Sequence, residues 1–219
     1  MAISTRRSVL RFLAPVVWAA VVLAAGAALW SPGDTDPGLS PLAYTVSDFA
    51  ALDRGGPIET TMALLGGVSA VLLVVTRKRI AIMRGLPSVL LGVWAVGLVV
   101  AALVPTDPLT SDLSAPAHVH RYASVLAFTA LPAAGLLLSR RIGTGRGAEG
   151  TARWLRVLSC AAFAAAVVMA YAAGPGGREL IGLAERVLLG GEVALLGVLG
   201  WYVHQPVQAA SVRCGSGTL

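Results

Sequence analysis

The stretch LPSVLLGVWAVGLVVAALVP, residues 86–105, runs for twenty residues without one ionisable side chain. A helix rises about 1.5 Å per residue, so on the order of 20 apolar residues cross the hydrocarbon layer of a bilayer. Within that layer a helix satisfies every backbone N–H and C=O inside its own segment, which an isolated strand cannot do. The stretch therefore predicts a membrane-spanning helix from Leu86 to Pro105.

Five further segments of comparable length lie on either side of it: Phe12 to Trp30, Ile58 to Thr76, His118 to Leu138, Trp154 to Ala173 and Ile181 to Val203. Of the 219 residues, 56% are hydrophobic and only 13% charged, which is the composition of a membrane protein rather than a soluble one. The expected fold class is all-α, a polytopic six-helix transmembrane bundle. The first segment, with its arginine-rich start, also resembles a signal peptide. Its apolar run exceeds the roughly 7 to 15 residues of such a region, which favours a retained span.

Basic residues fix the direction of the chain. Arg6, Arg7 and Arg11 precede the first span, Arg77, Lys78, Arg79 and Arg84 lie between the second and third, and Arg213 follows the last. Arg140, Arg141, Arg146, Arg153 and Arg156 flank the fourth-to-fifth connection, with Glu149 as the one acid on that side. The alternate loops carry Asp34, Asp36, Asp48, Asp53, Glu59, Asp107, Asp112 and Glu179 against only Arg54 and Arg178. Cytoplasmic loops hold the Lys/Arg excess, so both termini are expected inside. Trp30, Tyr122 and Tyr171 near the outer ends, and Trp154, Trp201 and Tyr202 near the inner ends, fit interfacial belts. The chain thus divides into a basic cytoplasmic N-terminus (1–11), a membrane domain (12–203) with a long outer loop (31–57), and a cytoplasmic tail (204–219). Lys78 is the only lysine among many arginines, which points to a bacterial genome rich in GC and hence to a bacterial plasma membrane.

The formal charge of +6 sits in short clusters with no continuous basic face, so nucleic acid is not an expected partner. Cys160 and Cys214 give neither a disulfide framework nor metal-ligand spacing. The pairs LLGG at 64–67 and 188–191 are read as places where neighbouring helices approach closely, and Pro132 as the site of a kink. The outer loop 31–57 is either a functional lid or a solvated connection; its second half mixes apolar and polar residues well enough to lie along the membrane surface.

Ionisable residues cluster at the outer ends of the spans. Asp107, Asp112, His118, His120 and Arg121 fall there between spans three and four, and Glu59, Glu185 and Arg186 at similar depth. Asp107, after Thr106 and before Pro108, also reads as turn chemistry, and the histidines as water-facing. Residues two apart on a helix point to opposed sides, so His118 and His120 share a metal only if the helix starts after them; no metal and no cofactor is expected. Span six is harder to explain as solvation. Glu192 lies roughly 16 Å from its start, near mid-membrane, where ionisable groups are costly and mark functional sites. Glu185 and Glu192, seven apart, share one helix face. An internal ion pair of Arg186 with Glu59, or with Glu185 and Asp107, is the structural alternative.

Together these pieces resemble the bacterial six-span membrane family named domain of unknown function 998. The resemblance rests on PLAYTVSDFAALDRGG (41–56), LVPTDP (103–108), HRYAS (120–124), FTALPAAGLLLSRR (128–141) and GLAERVLL (182–189), and spans about Phe12 to Val203. It implies a six-helix bundle with Asp107, His120, Glu185 and Arg186 in family-typical places. It implies no activity, and Glu192 has no counterpart in the pattern.

The sequence lacks a Walker-type loop, a GxSxG elbow and CxxCH, which disfavours nucleotide hydrolysis, serine hydrolysis and covalent haem. The leading expectation is an enzyme acting on a lipophilic isoprenoid by acid-initiated cyclisation, the logic of integral-membrane terpene cyclases. Glu192, Glu185, Asp107 and His120 are then the catalytic candidates, and Glu59, Arg186, Trp94 and Tyr122 contact the substrate. The alternatives are a proton-coupled transporter of small molecules, or a non-catalytic membrane protein that binds a lipid or a partner.

Overall fold

A computed structural model describes residues 16–27, 39–52, 54–77, 80–107, 113–142 and 148–204, apart from the side chains of Val75 and His204. Every regular element among them is helical: α1 (Val16–Ala27), α2 (Val46–Leu52), α3 (Pro57–Arg77), α4 (Leu86–Leu103), α5 (Ala115–Arg141), α6 (Ala148–Ala173) and α7 (Ile181–His204). A 3-10 turn, Ala81–Met83, precedes α4. By length and composition α3, α4, α5 and α6 are each able to cross a membrane. At 24 residues α7 is as long, but it carries Glu185, Arg186 and Glu192. Trp30, Asp112, the 1–11 segment and the 205–219 tail lie outside the described residues.

Local chemistry sets the helix ends. Gly85, at φ 75°, opens α4, and Pro87 in its first turn lacks only a donor that the helix would leave unused. Pro105 follows its end. In α5 the cap is Ser114, whose hydroxyl accepts from the Ala117 amide, so the helix starts three residues before the expected His118. It runs unbroken through Pro132 to Arg141. There the Arg141 guanidinium donates to Ile82 O and Arg84 O, tying the 3-10 turn to the end of α5.

Helices α3 to α7 each pack on the next, and α5 also reaches α7. Close approach depends on glycine. A Cβ at Gly97 of α4 would lie 2.8 Å from Ala123 O of α5, and one at Gly66 of α3 2.8 Å from Ala95 O of α4. The LLGG pairs behave unequally. Gly66 is tight and Gly191 makes ordinary contact with Ala162, while Gly67 and Gly190 face open space. Helix α1 lies along α7, with Trp18 over Gly197 and Val17 over Gly200.

The bundle is apolar on both sides. Trp94, Leu131, Leu138, Leu155, Leu188 and Leu195 fill the interior, while Val96, Leu103, Val125, Leu126, Val167 and Val168 face outward. A soluble protein does not expose so continuous an apolar surface. His120, Glu185 and Glu192 are buried inside it, and these helices belong to a multi-pass membrane protein.

Gly97→Ala should lower the unfolding midpoint in detergent, with a destabilisation of about 1–3 kcal/mol from overpacking against a backbone oxygen. Gly67→Ala and Gly190→Ala should leave the midpoint unchanged or slightly raised, because alanine favours the helix and meets no neighbour. Thermal melts of the three variants check this.

Candidate functional site

The segment read as an outer loop contains a short helix held against the start of α7. Thr45 and Asp48 cap α2 reciprocally: the Asp48 amide donates to Thr45 Oγ1 at 3.0 Å, and the Thr45 amide to Asp48 Oδ2 at 2.8 Å. The buried Glu185 carboxylate of α7 accepts from the Val46 amide and, at 3.2 Å, from the Ser47 hydroxyl. Arg186 grips the turn before α2, donating through Nη1 to Pro41 O at 2.6 Å and to Tyr44 O at 2.9 Å, with its guanidinium over the Phe49 ring. The Gly182 and Leu183 amides, which the first turn of α7 leaves without helical acceptors, donate to Leu42 O. Gly182 permits this closeness, because a Cβ there would collide with Tyr44 O and Pro41 O. Arg178, in the α6–α7 turn, adds an ion pair to Asp48 at 2.8 Å. Arg178 and Leu180 both lie at positive φ, 68° and 57°, a conformation that costs roughly 1–3 kcal/mol each unless surrounding contacts impose it.

Beneath α2 lies a cavity of about 260 Å3. Its walls come from α1 (Ala24, Ala27), α3 (Ile58, Met62, Leu65), α4 (Trp94, Leu98), α5 (Ser124, Phe128) and α7 (Glu185, Leu189, Glu192). The lining is apolar except for a few groups. Glu192 is 2% exposed, and its Oε1 has no hydrogen-bond partner among the described residues; neither has the buried Trp94 Nε1.

A second cavity, about 520 Å3, opens between α5, α6 and α7. Asp107, His120, Arg121, Asp48 and Arg178 line its outer part, and Val125, Phe163, Val167 and Leu188 its apolar part. His120 is 5% exposed and its Nδ1 is 3.1 Å from Val104 O. A carbonyl only accepts, so Nδ1 carries a proton, and in the neutral ring Nε2 is then the acceptor; Nε2 has no partner among the described residues. Asp107 accepts from the Ser114 amide at 2.6 Å and the Ser114 hydroxyl at 3.1 Å, bracing the cap of α5. The amide bond, then the hydroxyl bond, hold its carboxyl below the usual carboxylate range.

The expected catalytic residues are therefore divided. Asp107, His120 and Glu185 line the second cavity, while Glu185 and Glu192 line the first; Glu185, Ser47, Ser124 and Phe128 belong to both. Trp94 and Arg186 line the first cavity as substrate-contacting candidates. Two others lie elsewhere. Glu59 turns back to accept from the Gly55 amide at the start of α3, and Tyr122 is exposed, stacking on His118. Arg186 pairs with backbone carbonyls rather than with Glu59 or Asp107, because the 41–44 turn brings two acceptors to it and Gly182 O of its own helix supplies a third. His120 is buried rather than water-facing, whereas His118 is exposed. Both lie within α5 and leave it on different sides. Among the described residues no three His, Cys, Asp or Glu side chains gather as a metal site. Sequence reasoning missed α2, although TVSD at 45–48 is a capping-box signature. It also missed Phe128 and Ser124, which carry no signal beyond their place in span four.

A family model described as protein of unknown function (DUF998) matches residues 12–202. No curated protein and no solved structure matches the chain.

Two outcomes follow from this geometry. Gly182→Ala should drive the 41–44 turn off α7 and raise the rate of proteolysis within 39–52 by at least about tenfold, equivalent to roughly 1.4 kcal/mol of local opening; limited proteolysis in detergent measures it. The brace from Asp107 requires a charged carboxylate. Because its folded value is depressed, the stabilisation is complete above the ordinary value near 3.9 and is lost as pH falls through the lowered one. The difference in melting temperature between wild type and Asp107→Asn should thus hold constant from pH 7 to 5 and shrink below pH 4.

Proposed function

Because the chain belongs to the DUF998 family of proteins of unknown function, we propose its role from the chemistry of its cavities. It is a six-span protein of the bacterial plasma membrane with both termini in the cytoplasm, a membrane domain over 12–203, and a lipophilic small molecule as its ligand. The exposed aromatics support the span limits: Tyr122 and Tyr171 lie at one set of helix ends, Trp154 and Trp201 at the other.

The observation that carries the reading is the Glu192 oxygen, without a partner among the described residues, in a mainly apolar cavity. Glu185 is committed to α2, so Glu192 is the acid left to act on a ligand. We assign it the role of proton donor in an acid-initiated cyclisation of a compact isoprenoid. The Glu192 proton adds to an alkene carbon, a second alkene of the chain attacks the resulting cation to close a carbon–carbon bond, and a proton from a neighbouring carbon returns to the Glu192 carboxylate, restoring an alkene and the acid. Product and substrate are isomers, and no oxidant is needed. The Trp94 and Phe128 rings line the same cavity, and aromatic faces attract cations. At about 260 Å3 the cavity lies just below the ~300–1,000 Å3 of sites for drug-sized ligands, which favours a small substrate.

Purified protein incubated with ten- and fifteen-carbon isoprenoids, with products read by gas chromatography and mass spectrometry, tests this. Glu192→Gln should lower turnover by about 10²–10⁴-fold, the usual worth of a positioned acid. Equal product from both proteins, or no cyclised product from the wild type, removes Glu192 and the reaction together.

A further inference from the structure

We propose that the second cavity is a binding site for a neutral membrane-dissolved alcohol, held by a hydrogen bond from its hydroxyl to Nε2 of His120. This site is separate from the one assigned to Glu192 and does not depend on that reaction.

Three features of the structure lead there. The Nδ1–H of His120 is used by Val104 O, which orients the ring and, in its neutral form, makes Nε2 the acceptor. That acceptor is buried, belongs to a side chain that lines the cavity and has no partner among the described residues, a costly arrangement that a donor from a ligand relieves. The cavity is amphiphilic, with polar groups near the ends of the helices and an apolar floor formed by Phe128, Phe163 and Leu188. Val125, Thr129, Val167 and Ala170 line it and are also exposed, so it opens sideways between α5 and α6 toward lipid. A ligand arriving there is dissolved in the membrane rather than in water.

Charge selects a neutral head. The carboxylates of Asp48, Asp107 and Glu185 share the cavity and disfavour an anion, as does the Nε2 lone pair itself. Arg178 already neutralises Asp48, Ser114 satisfies Asp107, and the Arg121 and Arg178 guanidiniums disfavour an ammonium group. A hydroxyl supplies one donor without charge. At about 520 Å3 the space accepts a chain of moderate length.

The test uses the full-length protein in lipid nanodiscs, 15N-labelled at its three histidines, titrated with 1-decanol and with decyl methyl ether, which has the same chain and no donor. The Nε2 resonance of His120 should move saturably with decanol, at an affinity about tenfold tighter than the ether. In His120→Asn the side-chain amide replaces Nδ1–H toward Val104 O and nothing replaces Nε2; binding followed by calorimetry should then show a preference of less than about twofold. Glu192→Gln should bind decanol as the wild type does, which separates this site from the proposed reaction. Equal affinity for alcohol and ether in the wild type overturns the proposal whatever the folding of the variant. So does the absence of saturable binding, tighter binding of decylammonium than of decanol, or loss of decanol binding in Glu192→Gln.

Discussion

A carboxylate buried among hydrocarbon must be surrounded by donors, and at Glu185 those donors come from a different part of the chain. Its acceptors are taken by the Val46 amide and the Ser47 hydroxyl, 139 and 138 residues away in sequence. A free helix N-terminus and a buried acid each cost energy alone, and each removes the other's cost. The geometry of both cavities depends on that exchange, because Ser47 and Glu185 stand in the wall between them. Arg186, Gly182 and Arg178 hold the same segment by other means, and Met62 and Leu189 pack against its apolar side.

The spans were legible because their signal is local. Twenty apolar residues either cross a bilayer or do not, and the ends of α3, α4, α5 and α7 fall within a few residues of the limits read from composition, while α6 starts at Ala148, a turn and a half before Trp154. Burial of Glu185 and Glu192 was legible for a related reason, since charge at that depth has nowhere else to go. The partners of those groups were not. Arg186 was expected to seek an acid, and it finds the carbonyls of Pro41 and Tyr44 because the 41–44 turn crosses the first turn of α7. No periodicity in either segment encodes that crossing. Glu59 and Tyr122 were placed at the site by depth alone, and depth does not say which way a side chain leaves its helix. Phe128 lines both cavities, and sequence cannot distinguish that aromatic in an apolar span from ordinary packing.

The family motifs gain a physical meaning from this arrangement. PLAYTVSDFAALDRGG and GLAERVLL, far apart in sequence, are two halves of one contact, and LVPTDP supplies both the carbonyl that orients His120 and the carboxylate that braces the cap of α5. The motif residues outside that contact, such as Pro132 and Gly135, lie where α5 is buried against its neighbours.

Helix α1 lies against α7, and the turn before α2 lies against α7 as well. A chain is synthesised from its N-terminus, so α2 meets Ile58 and Met62 of α3 well before α7 exists. The contacts that Glu185, Arg186 and Gly182 make with the 41–47 segment are accordingly a late step of assembly.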